Sequence, residues 1–296
     1  MIHDILPHVL NNEFKVCDPK PTDFVIRYDG AKTLLKKVAT SGQEGASAVG
    51  YAIPRMGELL ALEGKTLAVF EGHYLFSIDD TAFFLDDSIE AKPTDAAAVI
   101  PAGYEYMGNR TFRTMNPVER MGGATAVHIA HWESLNKFCG KCGNVTIRGD
   151  HERSIVCPKC GNVVYPRISP VVIVAVRNGD KLLMAHNIDN PNPRLFLISG
   201  FVEVGESLEQ AVHREVMEEA GLRVKNIRYF GSQPWPFSDS MIAGFTAELD
   251  GDDTIRMQKE ELSEAMWVKR EDIPEYETDV SISCCLIENF RRGFTL

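Results

Sequence analysis

The stretch from Gly200 to Leu222, GFVEVGESLEQAVHREVMEEAGL, carries six glutamates in 23 residues. Carboxylate oxygens are the ligands that hard divalent cations prefer, so this concentration of glutamates could hold a metal ion. The same side chains could instead form the solvated face of a surface helix, because glutamate is a good helix former. The choice depends on which side of the helix the carboxylates occupy.

The stretch has clear helix boundaries. Ser207 is a suitable N-cap, and Gln210 stands three residues later, where it completes a capping box. No proline or glycine interrupts the segment until Gly221, which provides a C-terminal stop. The pattern predicts a helix over residues 208–220.

Glu215, Glu218 and Glu219 follow the spacing i, i+3 and i+4, so they fall within about 100° of arc on that helix. Two of the three therefore border the apolar face, which is formed by Leu208, Val212 and Val216. Like charges beside a buried face repel one another and lose hydration, and a divalent cation would remove this conflict. A simple surface pair between Arg214 and Glu218 fits the same spacing, so spacing alone leaves both interpretations open.

A second set of residues with metal-binding chemistry lies upstream. Cys139 and Cys142 form one C-x-x-C pair, and Cys157 and Cys160 form another after 14 intervening residues. Four thiolates on two tight turns suit tetrahedral Zn²⁺ and leave no open coordination position, which predicts a structural site. Three glycines are placed to relieve the turns, namely Gly140, Gly143 and Gly161.

The elements that must position these residues divide the chain into three regions. Residues 1–130 have the pattern of a mixed α/β domain, residues 137–166 form a short cysteine-bearing segment, and residues 168–296 form a further α/β domain. In the first region, residues 66–78 and 81–87 predict strands, and the sequence from Asn116 predicts a helix with Pro117 at its first position. In the last region, ISPVVIVAV has the continuous β-branched pattern of a strand buried on both faces, and KLLMAHN follows it as a hairpin partner.

The net charge, the apolar runs and the cysteines of the chain disfavour several classes of protein. The formal net charge of −11 disfavours broad, non-specific binding to nucleic acid, which depends on neutralisation of phosphates by basic side chains. We expect no membrane association, because the longest apolar run is far shorter than the roughly 20 residues of a membrane span. The chain start has no secretory signal pattern, and unpaired cysteines remain beyond the two C-x-x-C pairs, so we expect a cytoplasmic protein.

The glutamate stretch resembles the Nudix box. Its pattern is Gly200-x5-Glu206-x7-Arg214-Glu215-Val216-x-Glu218-Glu219-x-Gly221-Leu222, with every specified position filled. The resemblance implies an α/β fold, the Nudix α/β/α sandwich around a mixed sheet, preceded here by a zinc ribbon and an N-terminal α/β domain. It also implies that Glu215 and Glu219 are metal ligands with Glu218 beside them, and that all three act in catalysis. By the same resemblance, Glu206 and Arg214 form a structural salt bridge.

Residues 231–240, GSQPWPFSDS, resemble the S-Q-P-W-P-F-P-x-S signature of the NADH pyrophosphatase (NAD-capped RNA hydrolase) subfamily of Nudix hydrolases. Ser238 stands where that signature has proline. Prolines on both sides of Trp235 stiffen a loop that could stack a planar base. The resemblance implies a substrate-binding segment made of Ser232, Gln233, Pro234, Trp235, Pro236, Phe237, Ser238 and Asp239.

The subfamily resemblance extends to other positions. It implies substrate contacts at Phe201, Glu152 and Tyr165, and a distal metal ligand at Glu261, with the adjacent Glu260 as the alternative. It implies Mg²⁺ or Mn²⁺ as the catalytic metal, Zn²⁺ in the ribbon, and a homodimer. The expected reaction is hydrolysis of the pyrophosphate of NADH or NAD⁺ to a nicotinamide mononucleotide and AMP, extending to NAD caps on RNA 5′ ends.

Two other functions remain compatible with the sequence. One is a Nudix hydrolase acting on another diphosphate, such as ADP-ribose. The other is a non-catalytic binding module, in which the Nudix fold and the zinc ribbon recognise nucleic acid or protein. The intact R-E-x-x-E-E pattern disfavours the second, because a pure sensor does not need every hydrolytic carboxylate.

Overall fold

The computed structural model describes residues 1–39, 49–89, 100–188, 193–276 and 280–294. The chain folds into two compact units. One unit is Asp4–Arg167, and the other combines Met1–His3 with Ile168–Leu296. Within the described residues, no helix has both the length and the apolar character needed to cross a membrane.

The first unit contains small sheets and two helices. Its elements are β1 (Leu10–Asn11), β2 (Phe24–Ile26), β3 (Lys32–Ala39), β4 (Val49–Ala52), α1 (Met56–Leu62), β5 (Gly72–Ile78), β6 (Thr81–Asp86), β7 (Tyr104–Gly108), α2 (Pro117–Leu135), β8 (Ile147–Arg148), β9 (Ile155–Val156) and β10 (Val163–Val164). The strand orders are β1-β5-β6-β2, β4-β3-β7 and, in the cysteine-bearing segment, β10-β9-β8. Helix α2 begins as predicted, since the Asn116 side chain accepts the Glu119 N–H and Pro117 occupies the first position.

One strand prediction in this unit is only partly right. Residues Leu67–Val69 form a 3₁₀ turn, and strand β5 starts at Gly72 rather than at residue 66. The N–H of Val69 bonds to the Thr66 carbonyl, and the N–H of Phe70 bonds to the Leu67 carbonyl. These local bonds use the backbone groups that strand pairing would need.

The second unit is built on a mixed sheet. Its elements are β11 (Ser169–Asn178), β12 (Lys181–Asn187), β13 (Ile198–Phe201), α3 (Leu208–Ala220), β14 (Val224–Trp235), β15 (Ser240–Leu249), β16 (Leu262–Lys269) and α4 (Ile282–Arg291). The strand order is β14-β15-β11-β12-β16, and β13 also pairs with β11. Strands β11 and β15 run parallel, whereas the other pairs are antiparallel.

Strand β11 is buried on both faces, as its β-branched run predicts. Val172, Val174 and Val176 face a cluster that includes Val212 and Val216 of α3. Ile173 and Ala175 face a second cluster, which includes Leu286, Ile287 and Phe290 of α4. The sheet therefore lies between two helices, which confirms the predicted α/β/α sandwich.

Candidate active site

Helix α3 places its glutamates in two different environments. Its start has the full capping box, with Gln210 N–H donating to Ser207 and Ser207 N–H donating to Gln210, and its end is the left-handed Gly221. Glu215 and Glu219 are only 8% and 5% exposed, whereas the Glu218 side chain is 53% exposed. Two carboxylates therefore lie on the buried side of the helix, where a solvated helix face would not put them.

Gly200 allows strand β13 to approach the Glu215 carboxyl group. A β-carbon added at Gly200 would lie 2.0 Å from the Glu215 carboxyl carbon and from its Oε1. No side chain larger than hydrogen fits there unless the carboxylate moves. The glycine thus fixes where this glutamate lies relative to the backbone of the strand.

Arg214 joins the loop before α3 to the helix itself. Its guanidinium donates to both carboxylate oxygens of Glu206, at 2.6 and 2.9 Å, and to the Phe201 carbonyl at 2.8 Å. It also donates to Glu215 at 2.7 Å and to Glu218 at 3.0 Å. Its hydrogen bonds lower the pKa of Glu206 to about 2, with help from the Glu203 N–H. Arg214 is therefore a brace that orients the Glu215 and Glu218 carboxylates.

The buried carboxylates carry more negative charge than their surroundings balance. Burial and the neighbouring charges of Glu215, Glu261 and Glu218 raise the pKa of Glu219 to about 8, against the opposing hydrogen bond from the Ser199 backbone. Burial also raises the pKa of Glu215, although Arg214 opposes the shift. This is the electrostatic conflict that a bound cation would relieve.

Glu261 lies in the loop before β16 and is close enough to helix α3 for its charge to act on Glu219. The Gln258 N–H donates to the Glu219 carbonyl at 3.0 Å, which ties that loop to the end of α3. The Gln258 side-chain amide donates to Glu261 Oε1 at 3.4 Å. Glu261 lines the cavity described next, whereas the adjacent Glu260 is exposed and is not among its lining residues.

A cavity of about 820 Å³ opens beside these carboxylates. Glu215, Glu218 and Glu261 form part of its wall, and Phe201, Trp235 and Ser238 form another part. Its remaining lining residues are Val171, Ser199, Gly200, Arg214, Ile242 and Gln258. The volume is in the usual range for small-molecule sites, and the wall combines charged and aromatic surfaces.

One apolar strip of this wall follows from the strand register. Val171 pairs directly with Phe201 on one side and with Ile242 on the other, so the three side chains share one face of the sheet. Sequence reasoning found Phe201 but missed Val171, Ile242, Ser199 and Gln258. The buried-strand pattern contains Val171, but only the pairing register shows that it reaches the cavity.

Only part of the predicted substrate-binding segment lines the cavity. Strand β14 ends at Trp235, and a 3₁₀ turn spans Pro236–Ser238. The rings of Trp235 and Phe237 meet edge to face, with centroids 5.2 Å apart. Of the segment, Trp235 and Ser238 line the cavity, whereas Ser232, Gln233, Pro234, Pro236, Phe237 and Asp239 are not among the lining residues.

Gln233 has a structural task in this fold. Its side chain is fully buried, its amide nitrogen donates to the Val280 carbonyl at 2.5 Å, and its oxygen accepts the Ile282 N–H at 2.6 Å. The side chain therefore holds the first turn of α4. A direct substrate contact by Gln233 stays a prediction, as do the roles of the other segment residues.

The four cysteines of the two C-x-x-C pairs converge. Their sulfur atoms all lie within 4.8 Å of one another. The two knuckles repeat the same backbone bonds: Gly143 N–H donates to the Cys139 carbonyl at 2.8 Å, and Gly161 N–H donates to the Cys157 carbonyl at 2.9 Å. Both glycines have a φ of +70°, which glycine adopts without strain, while Gly140 has no such conformation.

The knuckle backbone prepares the thiols for metal binding. N–H groups of Lys141 and Cys142 lower the pKa of Cys139. Burial raises the pKa of Cys157, but the N–H groups of Cys160 and Lys159 outweigh it and bring the value to about 6. Four converging thiols with such donors suit a closed Zn²⁺ site. Among the described residues, the glutamate carboxylates of the second unit do not converge as tightly as these sulfurs.

Two further predicted contact residues lie in the first unit. The exposed Tyr165 hydroxyl donates to Glu152 Oε1 at 2.9 Å, and this bond raises the pKa of Tyr165. The two side chains therefore act as a pair. Their contact with a substrate stays a prediction.

Comparison with known proteins agrees with this architecture. The NUDIX domain model matches residues 167–285, and the NADH pyrophosphatase zinc ribbon domain model matches residues 134–165. The NAD-capped RNA hydrolase NudC of Mannheimia succiniciproducens is 39% identical over 209 residues, which cover 68% of this chain and 75% of that protein. NAD-capped RNA hydrolase NudC of Salmonella schwarzengrund is 42% identical over 163 residues, covering 55% of this chain and 63% of that protein.

Among solved structures, the crystal structure of a Nudix hydrolase from Nitrosomonas europaea covers 53% of this chain and 92% of that chain, with 26% identity and a TM-score of 0.46. The matched domains and the relatives define a metal-dependent hydrolase fold joined to a zinc ribbon. The chain belongs to the Nudix hydrolase family, in the branch that carries the NADH pyrophosphatase zinc ribbon.

Proposed function

We propose that the protein hydrolyses the pyrophosphate bond of NADH or NAD⁺ to a nicotinamide mononucleotide and AMP, and that it also removes NAD caps from RNA 5′ ends. One observation carries this proposal: the buried Glu215 carboxylate, braced by Arg214, shares a single cavity with Glu218, Glu261, Trp235 and Phe201. One part of the wall suits a metal and a diphosphate, and the other suits a planar ring. The matched relatives, which are named NAD-capped RNA hydrolases, support the same substrate class.

The donor set of the cavity fits Mg²⁺ or Mn²⁺, which prefer oxygen ligands and keep part of their shell for water and phosphate. Glu215, Glu219 and Glu261 would hold the ion, with Glu218 beside them. When bound, the metal neutralises phosphate oxygens and favours deprotonation of the attacking water. The unbalanced charge around Glu219 supports this assignment.

The chain's own residues position the reaction. Arg214 holds the Glu215 and Glu218 carboxylates while its other bonds anchor it to Glu206 and to the end of β13. Glu219 accepts the proton of the attacking water. The exposed ring of Phe201 and the half-buried ring of Trp235 stack a planar end of the substrate.

The remaining predictions concern the whole protein. The division into residues 1–130, 137–166 and 168–296, with Zn²⁺ as a structural element of the middle part, is retained as part of the proposal. A homodimer and a cytoplasmic location belong to it as well. Cys17, Cys284 and Cys285, which lie outside the proposed zinc site, form no disulfide, and this supports a reducing compartment.

The decisive experiment measures turnover of NADH with Mg²⁺ or Mn²⁺ and separates the products by chromatography. We expect the reduced mononucleotide and AMP in equal amounts, and NAD-capped RNA should lose its cap under the same conditions. Parallel kcat/KM values for ADP-ribose test the alternative substrate, and a clear preference for ADP-ribose would contradict the proposal. Absence of turnover on every diphosphate would favour the binding-module alternative. Light scattering after size exclusion tests the homodimer.

A further inference from the structure

Ser238 is the residue of the aromatic segment that departs from the subfamily pattern, and it lies on the cavity wall. It ends the 3₁₀ turn that follows Trp235, and its side chain is exposed. Proline at this position would bring no polar atom beyond its carbonyl. Serine instead adds a hydroxyl group to the part of the wall that also holds Trp235 and Ile242.

The hydrogen bonds around Ser238 decide what that hydroxyl can offer. The next residue, Asp239, has a φ of 52°, and this left-handed turn brings Ser240 back against Ser238. The Oγ atom of the buried Ser240 donates its one proton to the Ser238 carbonyl at 2.8 Å. The two Oγ atoms are 3.0 Å apart. When the Ser240 proton is used in the bond to the Ser238 carbonyl, Ser238 Oγ is the donor in the contact between the two hydroxyl groups.

Ser238 Oγ therefore has its proton committed and keeps lone-pair capacity for a ligand in the cavity. An acceptor in this position pairs with an N–H donor and cannot pair with a carboxylate. The negative charge of the cavity also disfavours a carboxylate on the bound ring, because Glu215, Glu218 and Glu261 line the cavity.

We propose that Ser238 is a specificity-determining residue, whose Oγ accepts a hydrogen bond from an amino group on the planar end of the dinucleotide. This inference rests on the proposed function. Two parts of the substrate carry that chemistry: the carboxamide of nicotinamide and the 6-amino group of adenine. Both present N–H groups in the plane of a ring that Trp235 and Phe201 can stack.

The test compares kcat/KM for NAD⁺ with the values for two analogues. Nicotinic acid adenine dinucleotide replaces the carboxamide by a carboxylate, and nicotinamide hypoxanthine dinucleotide replaces the 6-amino group by a carbonyl. In the wild-type protein, the analogue that lacks the recognised donor is the poorer substrate. Ser238→Ala should reduce the preference for NAD⁺ over that one analogue by roughly 3- to 10-fold, the range of one uncharged hydrogen bond.

Three further variants separate a hydrogen bond from a change of shape. Ser238→Thr keeps the hydroxyl and should keep the preference, while Ser238→Pro should behave like Ser238→Ala. Ser240→Ala leaves Ser238 in place but removes the acceptor of the Ser238 hydroxyl proton. Ser238 can then donate as well as accept, so the preference for NAD⁺ over the affected analogue should fall. Ser134→Ala is the matched control, because that hydroxyl donates to the His131 carbonyl in helix α2 of the other unit.

The affected analogue identifies which end of the dinucleotide meets Ser238. If Ser238→Ala and Ser240→Ala leave both preferences at the wild-type values while NAD⁺ is still hydrolysed, Ser238 selects nothing and only this inference fails. If the wild-type protein hydrolyses none of the three dinucleotides, the proposed function fails and takes this inference with it.

Discussion

The protein holds two clusters of acidic side chains that differ in how their charge is balanced. In the second unit, burial and neighbouring carboxylates raise the pKa of Glu219 to about 8, and burial raises that of Glu215. In the first unit, burial would raise the pKa of Asp87, but bonds from His73 and Arg148 outweigh it and lower the pKa. One cluster is left with excess negative charge, and the other is compensated within the fold.

The compensated cluster joins helix α2, strand β5 and the ribbon strand β8. Arg148 donates to both oxygens of Asp87, at 2.7 and 2.8 Å, and to Glu133 at 2.9 Å. His73 lies between the same two carboxylates, 3.3 Å from Asp87 and 3.1 Å from Glu133. Arg148 and, when it is protonated, His73 thus meet two carboxylates. A balanced cluster stabilises structure by itself, whereas an unbalanced one indicates a missing cationic ligand.

The largest effect is expected at Cys139, Cys142, Cys157 and Cys160, whose sulfur atoms converge within 4.8 Å of one another. Zinc release by a chelator, or Cys157→Ser, should destroy the order of residues 137–166, because zinc binding to such small sites contributes about 10–16 kcal/mol. Metal analysis should fall from about one zinc per chain, and amide exchange in the ribbon should become fast. Cys17→Ser is the matched control and should keep its zinc. Retention of zinc by Cys157→Ser would contradict the four-sulfur site.

Glu219→Gln tests the unbalanced carboxylates. We expect kcat for NADH to fall roughly 100- to 10,000-fold, because the proposed proton acceptor, which is also a proposed metal ligand, is lost. Without added metal the melting temperature should not fall, since glutamine avoids the cost of ionising a buried carboxyl group whose pKa is about 8. Glu209→Gln, in the exposed first turn of the same helix, should change neither quantity. A stable Glu219→Gln protein with wild-type kcat would show that the excess charge has no catalytic role.

Asp87→Asn tests the balanced cluster and should give the opposite pattern. It leaves the exposed Arg148 and the partly buried His73 with less compensation, which should cost about 1 kcal/mol in the free energy of unfolding. Urea denaturation measures this loss, and kcat for NADH per folded molecule should stay unchanged. If Asp87→Asn lowered kcat without lowering stability, this cluster would belong to a functional site instead.

Much of the second unit could be predicted from sequence because its signals are local. The helix over 208–220 is confirmed at both ends, since a capping box and a glycine stop depend only on neighbouring residues. The side of the helix that buries Glu215 and Glu219 also follows from spacing. The close approach of Gly200 to Glu215 could not be predicted physically, because it depends on how β13 pairs with β11.

Other features depend on contacts that are distant in sequence. Gln233 looked like part of a binding loop, yet its amide holds the start of α4, which lies 49 residues away at Ile282. The cluster around His73 was missed entirely, because its members come from four separate segments and carry no spacing signal. In residues 66–78, propensity predicted strand structure with Gly72 as a turn signal, but residues Leu67–Val69 form a 3₁₀ turn and the strand begins at Gly72.

The smallest expected effect concerns pH and the balanced cluster. Burial lowers the pKa of His73, but bonds to Asp87 and Glu133 outweigh burial, despite repulsion from Arg148, and the net pKa is raised above its ordinary value of 6.5. A raised histidine pKa gives stability that is fully present below pH 6.5 and is lost as pH rises through the higher folded value. His73→Gln should therefore flatten the fall of the melting temperature measured from pH 6 to pH 9. The melting temperature of the wild-type protein could instead rise from pH 6 to pH 9, with a slope that His73→Gln leaves unchanged. That result would show that the histidine is not held as a cation between the two carboxylates.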